Sequence, residues 1–395
     1  MVLNDIEKLD KMIFGSLCGY SLMSCVSLAA VNIFIALTTV LAIMRFVRKR
    51  PAIDMPKQYF KPIAIFFVTL FFLMIISPDF DASIKKFWLF VYRMIPFIAV
   101  LAFIKDKHQI YTLITLIIIS VTTADIYAIW QGMHGDYRAK AFGGHPMDLA
   151  GILVQWIPML LIMSIDNQWC AQRKYIVAAL LIGCAAVLFN GTRGAWITLA
   201  IIMPTAVFMY HNETKKMMVY VLIAIMAVGI LVYNVPELNA RMVTLTDKSF
   251  QSNSERILMW NSAWKMFYDY PLTGVGLGTY AHRYQTEYIS PKALERNLGH
   301  AHNNFLQMLA ETGIVGFLSF CFMFGSFLYY TFKDWRQFHY TAALMFFSAT
   351  CGIILQGLTE FTFGNRIVMT LYFFLMALYL QYIKQCSKCL TQQEI

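Results

Sequence analysis

In the stretch HAHNNFLQMLAETG, His300 to Gly313, two imidazoles and two amides stand at the start of an apolar helix. An imidazole can take a proton from a hydroxyl near neutral pH, so His302 reads as a general base. Asn303 is placed to cap the helix and orient the ring, while Gln307 and Glu311 follow at i+4 steps, a polar stripe that must face protein. Gly313 and Gly316 permit close helix contact below it. In NGTRGAW, Arg193 stands in a short turn, flanked by Gly191 and Gly194, which let backbone amides approach a ligand. Arg138 and Lys140 lie in HGDYRAKAFGGHPMD, and Arg256 and Arg283 lie in a long polar stretch further on. A guanidinium stays charged, is weakly hydrated and grips phosphate oxygens in pairs. Arginines converging near His302 therefore point to a phosphate ligand at a bilayer surface, with His300 as a supporting group of no assigned role.

Something must hold these residues at the mouth of a membrane. The chain has 395 residues, 59% hydrophobic and 14% charged, with a mean hydropathy of +0.58, which excludes an ordinary water-soluble protein. Apolar runs predict an all-α integral membrane protein with spans over 12–28, 30–44, 62–77, 87–104, 109–130, 148–165, 175–190, 194–210, 217–233, 304–331, 338–359 and 367–383. The first run is too long for a signal peptide and predicts two helices with a tight turn near Asn32. The net charge of +10 does not point to nucleic acid, because the basic residues fall in alternate loops. Arg45 to Lys61, Lys105, Arg173, Lys174, Lys215, Lys216, Lys333, Arg336, Lys384 and Lys388 then mark the cytoplasmic side. The cysteines avoid the outer loops, so no disulfide framework is expected. Three regions follow: helices over 1–233, an outer loop domain over 234–303, and helices with a cytoplasmic tail over 304–395.

Within the loop domain, Ser252 to Ser254 read as helix-capping residues. Ile257, Trp260, Trp264 and Phe267 recur at helical spacing, and Pro271 ends the helix. Its tryptophan-rich side fits a helix lying on the membrane surface with Arg256 at headgroup height, and equally a helix packed on the loop itself. GVGLGTY lacks the βαβ context of a nucleotide fingerprint and reads as a tight turn near a ligand or lipid. Asp79 and Asp81 have the spacing of a metal-binding pair but sit where a helix begins, so a cap is expected. Arg93 and Asp125 lie at similar depth on neighbouring spans and read as a structural ion pair, with either able to reach the cavity as the alternative. Cys386 and Cys389 read as ordinary thiols. No metal and no cofactor are expected.

GTRGAW, ERILMWNSAWKMFYDYPLTGVGLGTY and HNNFLQMLAETGIVGFL occur in that order, with a long outer loop between the first and the last. This pattern resembles the O-antigen ligase family of Gram-negative bacteria and its polymerase relatives. The resemblance implies a metal-independent GT-C-type glycosyltransferase of the inner membrane with its active site facing the periplasm. It would move a polysaccharide from an undecaprenyl-diphosphate-linked donor onto a sugar hydroxyl of the lipid A-core, inverting the anomeric centre. By the same resemblance His302 matches the essential histidine, and Arg193 and Arg256 match arginines that hold the diphosphate. Membrane lipids are the expected surroundings, with no nucleic acid partner. A polysaccharide polymerase of the same superfamily, or a polyprenyl-lipid flippase or secondary transporter, remain the alternatives.

Overall fold

The computed structural model describes residues 2–210, 226, 229, 233–244 and 250–393, with no strand among them. Helix is the outcome that apolar runs of this length dictate, since in lipid each backbone amide must find its partner within the segment. The helices are α1 (Val2–Met23), α2 (Leu28–Arg48), α3 (Lys57–Ile75), α4 (Phe80–Phe103), α5 (Lys107–Met133), α6 (Pro146–Ile165), α7 (Arg173–Asn190) and α8 (Arg193–Tyr210). Then come α9 (Pro236–Val243), α10 (Gln251–Asp269), α11 (Asn304–Phe338), α12 (Thr341–Gln356) and α13 (Arg366–Gln393). Nine of the described helices are long and apolar enough to cross a membrane: α2 to α8, α11 and α13. The chain is a multi-pass membrane protein. The expected ninth span, 217–233, lies outside the described residues apart from 226, 229 and 233, and so do Lys215 and Lys216.

Several local expectations are corrected. The first turn lies at 24–27, where Ser27 caps α2 by accepting from Ala30 N at 3.3 Å. Asn32 instead sits inside α2 and accepts from the Tyr92 hydroxyl at 2.9 Å. Arg93 does not pair with Asp125. Its two terminal nitrogens donate to the carbonyls of Phe363 and Gly364, each at 2.6 Å. The 360s loop offers two carbonyls to a planar fork. Asp79 does cap α4, its Oδ1 accepting from Ala82 N at 2.9 Å.

α6 is buried along its whole length from Leu149 to Ser164, with Trp156 fully enclosed, and forms the middle of the bundle. The two ends of the bundle differ in chemistry. At one end Asp10 binds Arg45 and Lys105, each at 2.7 Å, and Lys384 reaches Asp54 at 3.1 Å. Nearby, Asp334 accepts from Tyr59 at 2.8 Å and from Tyr379 at 2.6 Å. The opposite end gathers the starts of α4, α6, α8, α11 and α13, together with the described residues 233–244 and 250–303 of the connection between α8 and α11.

That connection does more than cover the bundle. α11 breaks at Gly313, whose φ of +59° and ψ of −164° suit glycine alone. The break frees backbone groups at membrane depth, and the connection satisfies them. Val275 N donates to Ala310 O at 2.8 Å and Gly276 N to Glu311 O at 3.2 Å, while Ile314 N donates to Pro271 O at 2.8 Å. Gly274, at φ +68°, allows this contact, since a Cβ there would lie 2.4 Å from the Glu311 carbonyl carbon. Gly274 is thus fitted to α11, whereas a Cβ on Gly276 would meet Ser77 and one on Gly278 would meet Lys86 of α4. Gly313 serves the same contact, and Gly316 faces Leu73 of α3.

Candidate active site

The HNN triplet explains itself once the loop between α12 and α13 is added. Asn303 caps α11, its Oδ1 accepting from Phe305 N at 2.8 Å and Leu306 N at 3.0 Å, and its Nδ2 donates to Leu358 O at 2.8 Å. Asn304 N donates to Gly357 O at 2.7 Å. Its side chain donates to Thr362 Oγ1 and accepts from Phe363 N, both at 2.9 Å. Adjacent asparagines therefore sew the head of α11 to loop 357–364, and Arg93 grips the same loop from below. Gln307 and Glu311 face protein as the stripe requires, accepting from Ala301 N at 2.7 Å and Tyr280 N at 3.2 Å.

This joint brings Glu360 to His302. His302 Nδ1 lies 3.0 Å from Glu360 Oε2 and 3.1 Å from Oε1. The carboxylate fixes the tautomer by accepting from Nδ1–H, which leaves Nε2 as the acceptor. His302 itself has a φ of +47°, a left-handed backbone that a histidine adopts only when its surroundings hold it there. His300 stands edge-on to it, ring centroids 4.2 Å apart, with Nε2 3.9 Å from Glu360 Oε1. Arg256 Nη2 approaches Glu360 Oε2 at 3.8 Å.

The electrostatics follow from these contacts. Burial alone would raise the Glu360 carboxyl, but the hydrogen bond and charge of His302, followed by His300 and Arg256, outweigh it and hold the group at about 2. Burial first, and the neighbouring His302 second, push His300 down to about 4. Near neutral pH His300 is then uncharged, so the lasting partners of the carboxylate are His302 and Arg256. Burial also lowers Arg256, against the pull of Glu360.

Arg193, Arg256, Arg138, Gln356, Thr359 and Glu360 line one cleft of about 680 Å³. Arg193 opens α8, its guanidinium donating to Thr244 O at 2.7 Å and Asn253 Oδ1 at 2.8 Å and lying 5.4 Å above the Phe250 ring. Its flanking glycines also shape the local backbone and packing. Gly191, at φ +62°, ends α7, and Gly194 leaves room for Thr359, whose Oγ1 would lie 2.5 Å from a Cβ there.

Arg283 is not brought to the cleft. It forms an ion pair with Glu287 and stacks over Tyr270 at 6.0 Å. Lys140 lines a smaller pocket with Tyr92 and Arg366. Ser252 to Ser254 do not cap α10, which begins at Gln251 without a side-chain cap; Asn253 is instead the tether of Arg193. α10 buries Met259, Ala263 and Met266 against the connection and the head of α11 while exposing Trp264 and Tyr268. Glu360 and Gln356 escaped the sequence reading. A signal existed for the first: it is the lone acidic residue between Asp334 and Glu394, set between two apolar runs.

Among the described residues, His300, His302 and Glu360 are the group able to hold a metal ion, their ligand atoms lying within 4.8 Å of one another. His302 Nδ1 is already engaged by the carboxylate, so the cluster is equally complete as a hydrogen-bonded one.

Residues 178–321 match the family described as O-Antigen ligase. A Haemophilus influenzae protein (strain ATCC 51907 / DSM 11121 / KW20 / Rd), described as an uncharacterized protein, is 23% identical over 173 residues. That alignment covers 40% of this chain and 43% of the relative, so the chain spans less than half of that protein's length. The family match takes in Arg193, Arg256 and His302 and stops short of Gln356 and Glu360.

Proposed function

We propose that the chain, whose residues 178–321 match the O-antigen ligase family, is a lipid-linked glycan transferase working as an O-antigen ligase at the periplasmic face of the inner membrane. The donor is a polysaccharide on undecaprenyl diphosphate and the acceptor is a sugar hydroxyl of lipid A-core. One observation carries this reading: the cleft that Arg193 and Arg256 line also contains Glu360, the carboxylate that holds His302. The sidedness rests on the basic residues gathered at the opposite end of the bundle.

The chemistry needs what these residues offer. As the anomeric carbon–oxygen bond breaks, negative charge grows on the departing diphosphate while the sugar acquires oxocarbenium character. Fixed guanidinium groups stabilise that charge more in the transition state than in the ground state, in place of a metal ion. Thr244 and Asn253 keep Arg193 oriented towards the cleft, and Glu360 keeps Arg256 beside it. His302 Nε2 takes the acceptor's proton as the acceptor oxygen bonds to the anomeric carbon from the opposite face, inverting it. Glu360 stabilises the imidazolium that results. The proton leaves to solvent, and undecaprenyl diphosphate departs.

Analysis of lipopolysaccharide from a deletion strain tests this function. Free lipid-linked polymer alongside a bare core supports the ligase. Cores capped with a single repeat would instead make the chain a polymerase, and unchanged lipopolysaccharide would remove both assignments.

A further inference from the structure

Gln356 ends α12 on the wall of the cleft, and its side chain is 0% exposed. Neither Oε1 nor Nε2 has a hydrogen-bond partner among the described residues. Other buried glutamines of the bundle are engaged at one end at least, although Gln155 Oε1 is likewise unpartnered among the described residues. Gln155 Nε2 donates to Gly151 O at 2.8 Å, Gln307 accepts from Ala301 N at 2.7 Å, and Gln381 donates to Leu101 O at 2.6 Å. An amide withdrawn from water with both ends unused is costly to the fold unless a ligand uses them. Its position is specific as well: Oε1 would lie 3.8 Å from a Cβ on Gly194, the residue that follows Arg193.

The two ends of an amide ask for different things. Nε2 donates and Oε1 accepts. The oxygens of an ionised diphosphate only accept, so they could satisfy Nε2 and would leave Oε1 unmet. A polyprenyl chain satisfies neither. A sugar hydroxyl both donates and accepts, and so does an acylamino substituent through its N–H and C=O. Arg193 and Arg256 already supply the charge a diphosphate needs. Resting on the transferase function proposed above, we propose that Gln356 is a donor-recognition residue. It reads a hydroxyl or acylamino group on the sugar joined directly to the diphosphate, while the arginines hold the diphosphate itself. Sites built to pair such a group discriminate sharply against ligands that lack it.

Direct binding separates the two roles. The full chain in lipid nanodiscs is titrated with undecaprenyl diphosphate and with undecaprenyl diphosphate bearing one N-acetylglucosamine. In the Gln356→Leu protein the glycosylated lipid is expected to bind about tenfold or more weakly, with the bare diphosphate lipid within about twofold of wild type. Retained binding of the bare lipid also shows that the variant is folded. Gln356→Glu, which keeps an acceptor and loses the donor when ionised, is expected to show the same selective loss, whereas Arg193→Ala weakens both lipids. Equal losses for the two lipids in Gln356→Leu, or no loss for either, would overturn this role for Gln356 and leave the transferase standing. A wild-type protein that binds neither lipid would overturn the transferase and this role together.

Discussion

The two walls of the cleft are built differently. On one, loop 357–364, which brings Thr359 and Glu360 to the cleft, is joined by side-chain bonds to His302, Asn303 and Asn304 at the head of α11, with Arg93 closing the joint from beneath. On the other, Arg193 is tethered to Thr244 and Asn253, and Arg256 rides on α10, within a connection that exposes Trp264 and Tyr268. The first wall fixes a ring in one orientation. The second is a contact between a helix end and a long excursion of the chain. In the proposed reaction a base must point one way throughout, whereas groups that receive a bulky lipid-linked glycan must let it enter. In that proposed reaction the first wall would carry proton transfer and the second the charge.

Substitutions on each wall test that division. His302→Ala is expected to lower kcat by about 10²–10⁴, the range of a lost general base, with the protein still inserted. A variant of near-normal rate would take the base from the rigid wall. Arg193→Ala is expected to cost about 10²–10³ in kcat, and Arg193→Lys to restore only part of it, because an ammonium lacks the planar fork. Full restoration by lysine would mean that charge alone matters there. Glu360→Gln keeps an acceptor for Nδ1–H and loses the charge; a fall of about 10–100-fold in kcat is expected, as for other groups that orient a functional histidine. An unchanged rate would reduce Glu360 to a packing element.

Two smaller effects concern the frame. Gly313→Ala would put a Cβ 2.4 Å from the backbone of Leu272 at a left-handed φ. Thermal unfolding in detergent should show a loss of about 1–3 kcal/mol. His300 titrates at about 4 in the fold against an ordinary 6.5. Between those values the unfolded chain binds a proton that the folded chain refuses, so stability is lost as pH falls from 6.5 towards 4. His300→Gln should flatten that slope; an unchanged slope would contradict a buried neutral ring.

How far the sequence could be read depended on whether an interaction is local. The apolar runs, the Asp79 and Asn303 caps and the buried Gln307–Glu311 stripe follow from helical period and neighbouring residues, and they were legible. Arg193, Arg256 and His302 stood out by type. What they meet comes from far along the chain: Glu360 reaches His302 across 58 positions, and Arg93 meets Phe363 across 270. Nothing in local spacing could choose those partners over the Arg93–Asp125 pair. The glycines of GVGLGTY read as a turn, but what Gly274 meets, the backbone beside the break at Gly313, depends on a chain crossing that no periodicity encodes. Arg283, close in type and sequence to Arg256, was drawn off by Glu287 at i+4.

Transfer by the purified chain is the most direct measurement. With undecaprenyl-diphosphate-linked polysaccharide and lipid A-core in vesicles containing a chelator, wild-type protein should form the joined glycolipid and His302→Ala should not. A folded wild-type protein that yields no product, or a His302→Ala protein as fast as wild type, would contradict a metal-independent transfer driven by the arginines and His302.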